Sequence, residues 1–474
     1  MKTTRDTRRE RDGRRSLHVL GPMLAAATLM GIPALPRAQN VARGDVTFTK
    51  DIAPVVQRSC ENCHRKGGVA PMSLSTYVEA RPWARAMKRA TSAGEMPPWF
   101  IDRNIGIQKF KDDISLSEEE IGKIARWADS GAPQGNPADM PPPRHYPDPR
   151  GWTIGPPDLI VSSPVMIVKP SAPDWHGEVG PVLTGLTEDR YVQAVETKEV
   201  RLNDNGLPDE EGFKRVRGAI GDLNFFSIHH MGVRETDPRT GEDLTEVSEG
   251  LNRGFYAIHE VGTNATIYPK DAGNLLTART AFVYTAHLHS VGREVRVRLD
   301  VGFKFHPKGW TPKYPQAGIL TMGGPTEVID IPAGQDNVSF QHFYKLPRNA
   351  MLTTFEPHMH SSGKRMCVEA IYPDMRRDVL NCAGYNHNWV KVYAYEDDVA
   401  PLLPAGTIIH YTGWYDNTSN NRRVVDPRNW KGWGNRSIDD MFLFRPRVVF
   451  LTDEQFKEKL AERQAKPRRS THNQ

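Results

Sequence analysis

The sequence predicts a multidomain fold, in which a small all-α domain is followed by two β-sandwich domains of jelly-roll type. Three observations support this fold class. Apolar residues recur at helical spacing before residue 132, nine prolines crowd the 25 residues 133–157, and short alternating strands fill the chain beyond them. The 474 residues give room for two to four domains.

The first 38 residues resemble an export signal. A basic start precedes an apolar stretch, residues 17–35, that glycines and prolines interrupt, whereas a membrane span needs about 20 mostly apolar residues. We expect cleavage near Ala38, a periplasmic or otherwise exported protein, and no stable membrane span afterwards. The pair Arg14-Arg15 leaves Sec and twin-arginine export both open.

The net charge of +5 lies entirely in this leader, which holds eight Lys or Arg and three acids. The remaining residues carry 54 basic and 54 acidic side chains. Nucleic-acid binding normally shows as a clustered basic excess, so we expect no nucleic-acid partner. A mean hydropathy of -0.56 also excludes a multispan membrane protein.

Residues 45–132 are predicted to form the helical domain, with helices over 77–90 and 117–130. Ser117 and Glu120 form a capping-box pattern before the second helix. Residues 133–157 predict a semi-rigid linker, because proline at this density interrupts both helix and sheet. The sandwich domains are placed at 158–322 and 325–450, followed by a polar tail at 452–474. The predicted strands are 158–168, 191–202, 224–233, 281–284, 295–305, 352–356, 366–372, 407–415 and 442–449.

Cys60, Cys63 and His64 form the C-x-x-C-H pattern of covalent haem c attachment. A zinc or disulfide pair is the competing interpretation, but C-x-x-C zinc sites usually have a second Cys or His pair nearby. A methionine thioether is a common sixth iron ligand. Met96, followed by two prolines and a tryptophan, is our choice over Met72, which lies very near the motif, and Met87, which lies on the apolar face of a predicted helix. Residues 45–132 therefore resemble a small class I cytochrome c domain.

Histidines cluster at three places in the β-rich region: His229-His230, His287 with His289, and His358 with His360. A spacing of two places both imidazoles on one face of a strand. Adjacent histidines can share an ion only where the strand is bulged or ends. These clusters favour metal binding over three sets of isolated core histidines.

The remaining thiols, Cys367 and Cys382, lie 15 residues apart on a predicted hairpin. In an oxidising compartment they predict a disulfide, so we expect no thiolate ligand for a metal from this pair. Imidazole sites accept zinc or copper, and a thioether ligand would favour copper.

Residues 155–450 resemble the type II copper, ascorbate-dependent monooxygenases, which include the peptidylglycine α-hydroxylating and dopamine β-monooxygenases. The segments that carry the resemblance are the histidine pair in 227–231, the His-x-His in 356–364 and the methionine segment 437–441. With the haem motif, the chain resembles bacterial exported proteins that join a cytochrome c domain to this pair of copper domains. Asp440 stands where the family usually has Glu.

The resemblance implies two copper ions. His229, His230 and His287 would bind the electron-transfer copper, His287 being preferred to His289 because Gly292-Arg293 follows it as in the family. The catalytic copper would be bound by His358, His360 and Met441.

The resemblance also implies an enzyme that inserts one oxygen atom from O2 into a substrate C–H bond. The fused haem domain indicates that haem replaces or supplements ascorbate, or another periplasmic donor, as the electron source. The rival hypothesis is a non-enzymatic periplasmic electron-transfer or copper-binding protein. A hydrolytic zinc enzyme is a third hypothesis, which a Met441 ligand would disfavour.

Overall fold

The computed structural model describes residues 46–66, 68, 70–146, 151–208, 228–237, 239–240, 246–247, 251–252, 255–260, 265–278, 280–323, 329–436 and 438–465. The predicted leader and its cleavage site lie outside the described residues. Among the residues that are described, no helix is both long and apolar enough to cross a membrane.

The helices are short. They are α1 (Ala53–Ser59), α2 (Tyr77–Ala80), α3 (Ala84–Ser92), α4 (Glu118–Asp129) and α5 (Asp453–Ala465), with a π-helical turn at Phe48–Ile52 and 3-10 turns at Arg81–Trp83 and Pro137–Asp139. The capping box at the start of α4 is confirmed, since the Ser117 hydroxyl accepts the Glu120 N–H and the Glu120 carboxylate accepts the Ser117 N–H. The helix predicted over 77–90 is interrupted at Pro82, whose ring cannot continue helical hydrogen bonding.

The first group of strands belongs to the first sandwich: β1 (Leu159–Ser162), β2 (Met166–Val168), β3 (Trp175–Leu183), β4 (Arg190–Leu202), β5 (Ile228–Thr236), β6 (Glu246–Val247), β7 (Leu251–Asn252), β8 (Ala257–Glu260), β9 (Ala265–Ile267), β10 (Asn274–Leu276), β11 (Ala281–Leu288) and β12 (Val295–Phe305). One sheet has the order β1-β12-β4-β10, with β2 and β9 paired to β12 and β4. The other has the order β3-β11-β5-β8, and every pairing is antiparallel.

The second group forms the second sandwich: β13 (Ala317–Ile319), β14 (Asp336–Lys345), β15 (Asn349–Leu352), β16 (Thr354–Phe355), β17 (Pro357–His358), β18 (Gly363–Ile371), β19 (Arg377–Gly384), β20 (Tyr393–Ala394), β21 (Leu402–Leu403), β22 (Ile408–Asp416), β23 (Leu443–Phe444) and β24 (Arg447–Leu451). Its sheets have the orders β13-β24-β15-β21 and β14-β22-β18-β19. Burial alternates along β22, as expected of a strand with one face on the core.

The predicted disulfide is confirmed. Cys367 on β18 lies directly opposite Cys382 on β19, and their sulfur atoms are bonded.

The predicted fold class is wrong in one respect, because the helices do not form a distinct all-α cytochrome c domain. Strands make up 36% of the described residues and helices 16%. The helices have a small apolar cluster around Phe48 and Trp127, but the chain between α3 and α4 leaves it and pairs with the second sandwich. Ile101 bridges Ala383 there, and Phe110 bridges Tyr395.

Ile101 and Phe110 belong to the same hydrophobic core as the strands of both sandwiches. Residues Asp45–Gln474 accordingly form one compact unit. The helical segment was expected to be separate because its spacing and caps resemble those of an independent helical domain. Its long-range pairing partners carry no local signal in the sequence.

Candidate haem and metal sites

The C-x-x-C-H residues lie on one tight turn at the end of α1. The backbone carbonyl of Cys60 accepts hydrogen bonds from the N–H groups of Cys63 and His64. The His64 ring is 3.3 Å through Nδ1 from the carbonyl oxygen of Met72. Donation from Nδ1 leaves the lone pair on Nε2, which is the arrangement of a histidine that binds iron through Nε2. The donor set therefore fits a covalently attached haem.

Burial, followed by the neighbouring Cys63, raises the pKa of the Cys60 thiol to about 12. Burial also raises the pKa of Cys63, while the positive charge of Lys391 opposes this effect. Lys391 belongs to the second sandwich, between β19 and β20. The haem-motif turn thus lies beside the second sandwich.

The three candidate methionines lie in different surroundings. Met87 is buried in the apolar cluster of the helices, and Met72 supports His64 with its carbonyl. Met96 lines a cavity of about 80 Å³ together with Trp99 and Phe110, and Cys60 and His64 are absent from its lining. The ligand role of Met96 stays a prediction.

In the first sandwich, His287 and His289 meet a shared carboxylate. Asp174, just before β3, lies 2.8 Å through Oδ1 from Nδ1 of His289 and 3.4 Å through Oδ2 from Nε2 of His287. The two ring centroids are 4.9 Å apart, as a spacing of two predicts. Hydrogen bonds from His287 and then His289 hold the pKa of Asp174 well below its usual range. These three side chains could hold a metal ion.

Strand β5 is bulged at His229 and His230, as the binding of one ion by two adjacent histidines would require. The register of β11 and β5 places His287 opposite His230, then Leu288 opposite Ile228. His229 is therefore the extra residue of a bulge. The side chains of His229 and His230 lie outside the described residues, so their ligand roles stay predictions.

In the second sandwich, His360 lies against His387, with ring centroids 5.2 Å apart. Nδ1 of His360 is 3.0 Å from the carbonyl oxygen of Arg436, to which it donates, so the lone pair is on Nε2. Burial, followed by the charge of His287, lowers the pKa of His360 to about 3. Burial also lowers the pKa of His387 well below its ordinary value. Both rings are neutral at pH 7.

The Met441 segment is tied to the His360 loop by Asp440. The buried Asp440 carboxylate accepts the backbone N–H groups of His360, Ser362 and Met441, at 2.9–3.0 Å. These bonds bring the Met441 backbone to the His360 loop, and thioether ligation by Met441 stays a prediction.

His358, the partner predicted for His360, takes part in a buried ion cluster. The guanidinium of Arg445 donates to His358 Nδ1 at 2.6 Å and pairs with both Glu260 and Glu356. Arg447 pairs with Glu356 as well. Because arginine can only donate, Nδ1 of His358 must be the acceptor, and its ring proton is on Nε2.

His387 is the residue that sequence reasoning missed. It lies in the connection after β19, between Asn386 and Asn388, with no second histidine nearby in the sequence. The only signal was its residue type, which is more often structural than ligating.

Comparisons with known proteins add no family. No family model and no characterised protein matches the chain. Among solved structures, a capsid of cowpea mosaic virus, from naturally occurring empty particles, is 8% identical and matches 64% of this chain and 93% of its own, with a TM-score of 0.27. A structure of broad bean stain virus is 9% identical, and the match covers 64% of this chain and 90% of the viral chain, with a TM-score of 0.27. A tandem carbohydrate-binding-module domain from Paenibacillus barcinonensis is 7% identical. That match covers 64% of this chain and 94% of the other chain, with a TM-score of 0.16.

Proposed function

We propose that this protein is an exported haem c and copper oxidoreductase that hydroxylates a substrate C–H bond with O2. The observation that carries the proposal is the orientation of buried imidazoles on both sandwiches. Asp174 fixes the His287 and His289 rings in the first sandwich, and the Arg436 carbonyl fixes His360 in the second. Histidines that bind metals typically donate their other ring N–H to such a carboxylate or carbonyl.

The chemistry of the donors fits copper. Neutral imidazoles suit copper or zinc, and the remaining thiols are locked in a disulfide or belong to the haem motif. Copper bound by these histidines would supply one-electron redox chemistry and activation of O2, and haem on Cys60, Cys63 and His64 would supply electron transfer. The chain itself keeps the buried His287 and His360 imidazoles neutral by lowering their pKa values, and it orients the two rings through hydrogen bonds.

The overall reaction balances as R–H plus O2, two electrons and two protons giving R–OH and water. The electrons come from an external one-electron donor, either ascorbate or a periplasmic redox protein. The substrate is identified here only as a molecule with a C–H bond to be hydroxylated.

One observation favours the second candidate function, a non-enzymatic electron carrier. His287 and His360 are 0% exposed, His387 is 3% exposed and His289 is 8% exposed. Catalytic metal sites keep a position open for substrate, whereas closed sites are structural or transfer electrons.

The two functions separate in an assay of oxygen uptake with labelled O2. Copper-loaded holoprotein receives reduced cytochrome or ascorbate and a panel of C–H substrates, beside His360→Ala and the control His145→Ala at an exposed position. We expect reductant-dependent uptake and one labelled oxygen atom per product molecule in the wild type and the control, and neither in His360→Ala. If the wild type consumed no more oxygen than His360→Ala, the electron-carrier function would replace the oxygenase.

A further inference from the structure

We propose that Asp174 is a direct metal ligand, which binds one divalent transition-metal ion together with His287 and His289 in the first sandwich. The resemblance implies a site of three histidines there, with His287 as the only ligand from this pair and with no carboxylate. This inference deepens the proposed function. It rests on that function for copper as the occupant, whereas the three ligands rest on the described contacts.

The pairing of β3 with β11 brings the three side chains to one face of the sheet. His287 on β11 lies directly opposite His176 on β3. In antiparallel strands, this register continues to His289 opposite Asp174, and the contact of these two side chains at 2.8 Å agrees with it. Residues that are directly opposed share a face, and so do residues two apart on one strand. The carboxylate therefore lies on the same side of the sheet as both imidazoles.

The distances between the donor atoms suit the ligands of one ion. Oδ1 of Asp174 is 2.8 Å from Nδ1 of His289, and Oδ2 is 3.4 Å from Nε2 of His287. With metal–ligand bonds of about 2.1 Å, two ligand atoms at angles of about 85–110° lie about 2.8–3.4 Å apart. The longer contact exceeds the usual N–H···O range of about 2.7–3.2 Å. One ligand atom from each side chain can be chosen so that all three lie within 4.8 Å of one another.

Binding an ion here leaves both imidazoles neutral. In the metal-free protein, the Asp174 carboxylate contacts one nitrogen of each ring, which orients the rings. When an ion binds, each imidazole keeps its single proton on its other nitrogen and directs a lone pair to the ion. The exchange is a change of tautomer, so no net proton is released.

Burial and charge favour a divalent ion. His287 is fully buried and His289 is 8% exposed, whereas 30% of the Asp174 side chain is exposed, which gives solvent access on the carboxylate side. A cation between buried neutral imidazoles is costly without a counter-charge, and the carboxylate supplies one. A hard oxygen ligand beside imidazoles favours Cu(II) or Zn(II) over Cu(I). We therefore expect Cu(II) in the exported protein and use zinc, which has no redox chemistry, as the probe.

The first measurement is the zinc affinity of the full-length protein after a chelator has removed its copper and zinc. Every protein carries His360→Ala, which removes a predicted ligand of the second sandwich. The variants are Asp174→Asn and His289→Gln. The matched control is Asp189→Asn, at an exposed carboxylate of the first sandwich that accepts the Ala278 N–H.

Three ligands predict a loss of more than about 100-fold in both variants and wild-type affinity in the control, since removing a group that only orients a ligand typically costs about 10–100-fold. A smaller loss in Asp174→Asn would assign Asp174 the orienting role and overturn the proposal. So would wild-type affinity in His289→Gln with an unchanged far-UV circular dichroism spectrum, because a site of His229, His230 and His287 does not need His289.

The second measurement identifies the bound atom by zinc X-ray absorption fine structure, which haem absorption does not disturb. Zinc bound to Asp174→Cys should show a zinc–sulfur distance of about 2.3 Å, against about 2.0–2.1 Å for zinc–nitrogen. The control Asp189→Cys should show no such distance. Zinc bound to Asp174→Cys without it would refute the site, and the affinities of the other variants decide the question if the cysteine variant does not fold.

The oxygenase can fail independently of this site. Zinc affinities and distances that fit three ligands, together with no oxygen uptake in the assay with labelled O2, would reject the oxygenase and leave the ligand set standing. Oxygen uptake by the wild type, together with wild-type zinc affinity in His289→Gln, would support the oxygenase and reject the ligand set.

Discussion

Replacing Glu356 by glutamine should destabilise the protein far more than removing an exposed carboxylate. Glu356 is fully buried and pairs with Arg445, at 2.8 Å, and with Arg447. With Glu260 as the second acid, the cluster holds two positive and two negative charges. Glu356→Gln keeps the shape of the side chain but leaves one buried positive charge without a counter-charge.

The magnitude follows from the distance and the burial. At 2.8 Å and an effective dielectric constant of about 20, Coulomb's law gives about 6 kcal/mol of gross attraction. Breaking a buried ion pair by removing one partner typically costs about 3–5 kcal/mol. That is a large part of a typical stability of about 5–15 kcal/mol.

The assay is urea unfolding of the metal-free protein at pH 7, followed by tryptophan fluorescence and by circular dichroism. The matched control is Asp336→Asn, which breaks an exposed pair with Lys364, 2.9 Å long, and should change the stability little because solvent screens the pair. A compensating variant, Glu356→Gln with Arg447→Met, should recover part of the loss. If Glu356→Gln cost no more than Asp336→Asn, the cluster would not be a compensated buried network.

Three other predictions concern separate parts of the chain. Burial lowers the pKa of His259 to about 4, below its unfolded value of about 6.5, so its contribution to stability is complete above pH 6.5 and is lost as the pH falls towards 4. His259→Gln should therefore weaken the pH dependence of the free energy of unfolding in this window by up to about 3 kcal/mol, and an unchanged dependence would contradict the assignment. Replacing Cys367 and Cys382 by alanine should cost about 3 kcal/mol for a loop of 15 residues, and alkylation of the unreduced wild type should leave both residues unmodified. The holoprotein should give a haem c pyridine haemochrome, and Met96→Ala should lose the band of iron–methionine ligation, whose persistence would remove Met96 from the site.

The sequence predicted those features that depend on local patterns. The capping box at Ser117, the alternation along β22 and the shared face of His287 and His289 follow from spacing alone. The disulfide followed from the compartment and from the two cysteines left outside the haem motif. Pro82 is a local signal for a break in a helix, and the prediction of one helix over 77–90 gave more weight to the apolar periodicity than to this proline.

The rest depends on contacts between distant parts of the chain. Ile101 and Phe110 resemble the apolar residues of a helical domain until the second sandwich supplies their partners. His358 has the sequence spacing of a metal ligand with His360. The sequence does not show that its Nδ1 contacts the guanidinium of Arg445, which is far from it in the chain. His387 carries no pattern, because its neighbour in space, His360, is distant from it in the sequence.

The helical segment is anchored to the second sandwich. Trp99 contacts Tyr393 edge-on, with ring centroids 5.0 Å apart, and Phe110 stacks on Tyr395 at 5.3 Å. These contacts anchor the segment between α3 and α4 to the strand region that follows Lys391. Lys391 lies four residues after His387, and its charge acts on Cys63 of the haem-motif turn. A haem attached at this turn would therefore keep a fixed position relative to the loop of His387. Electron transfer between them would need no movement of a linker, and the Pro-rich segment after residue 133 would serve to connect the helices to the first sandwich.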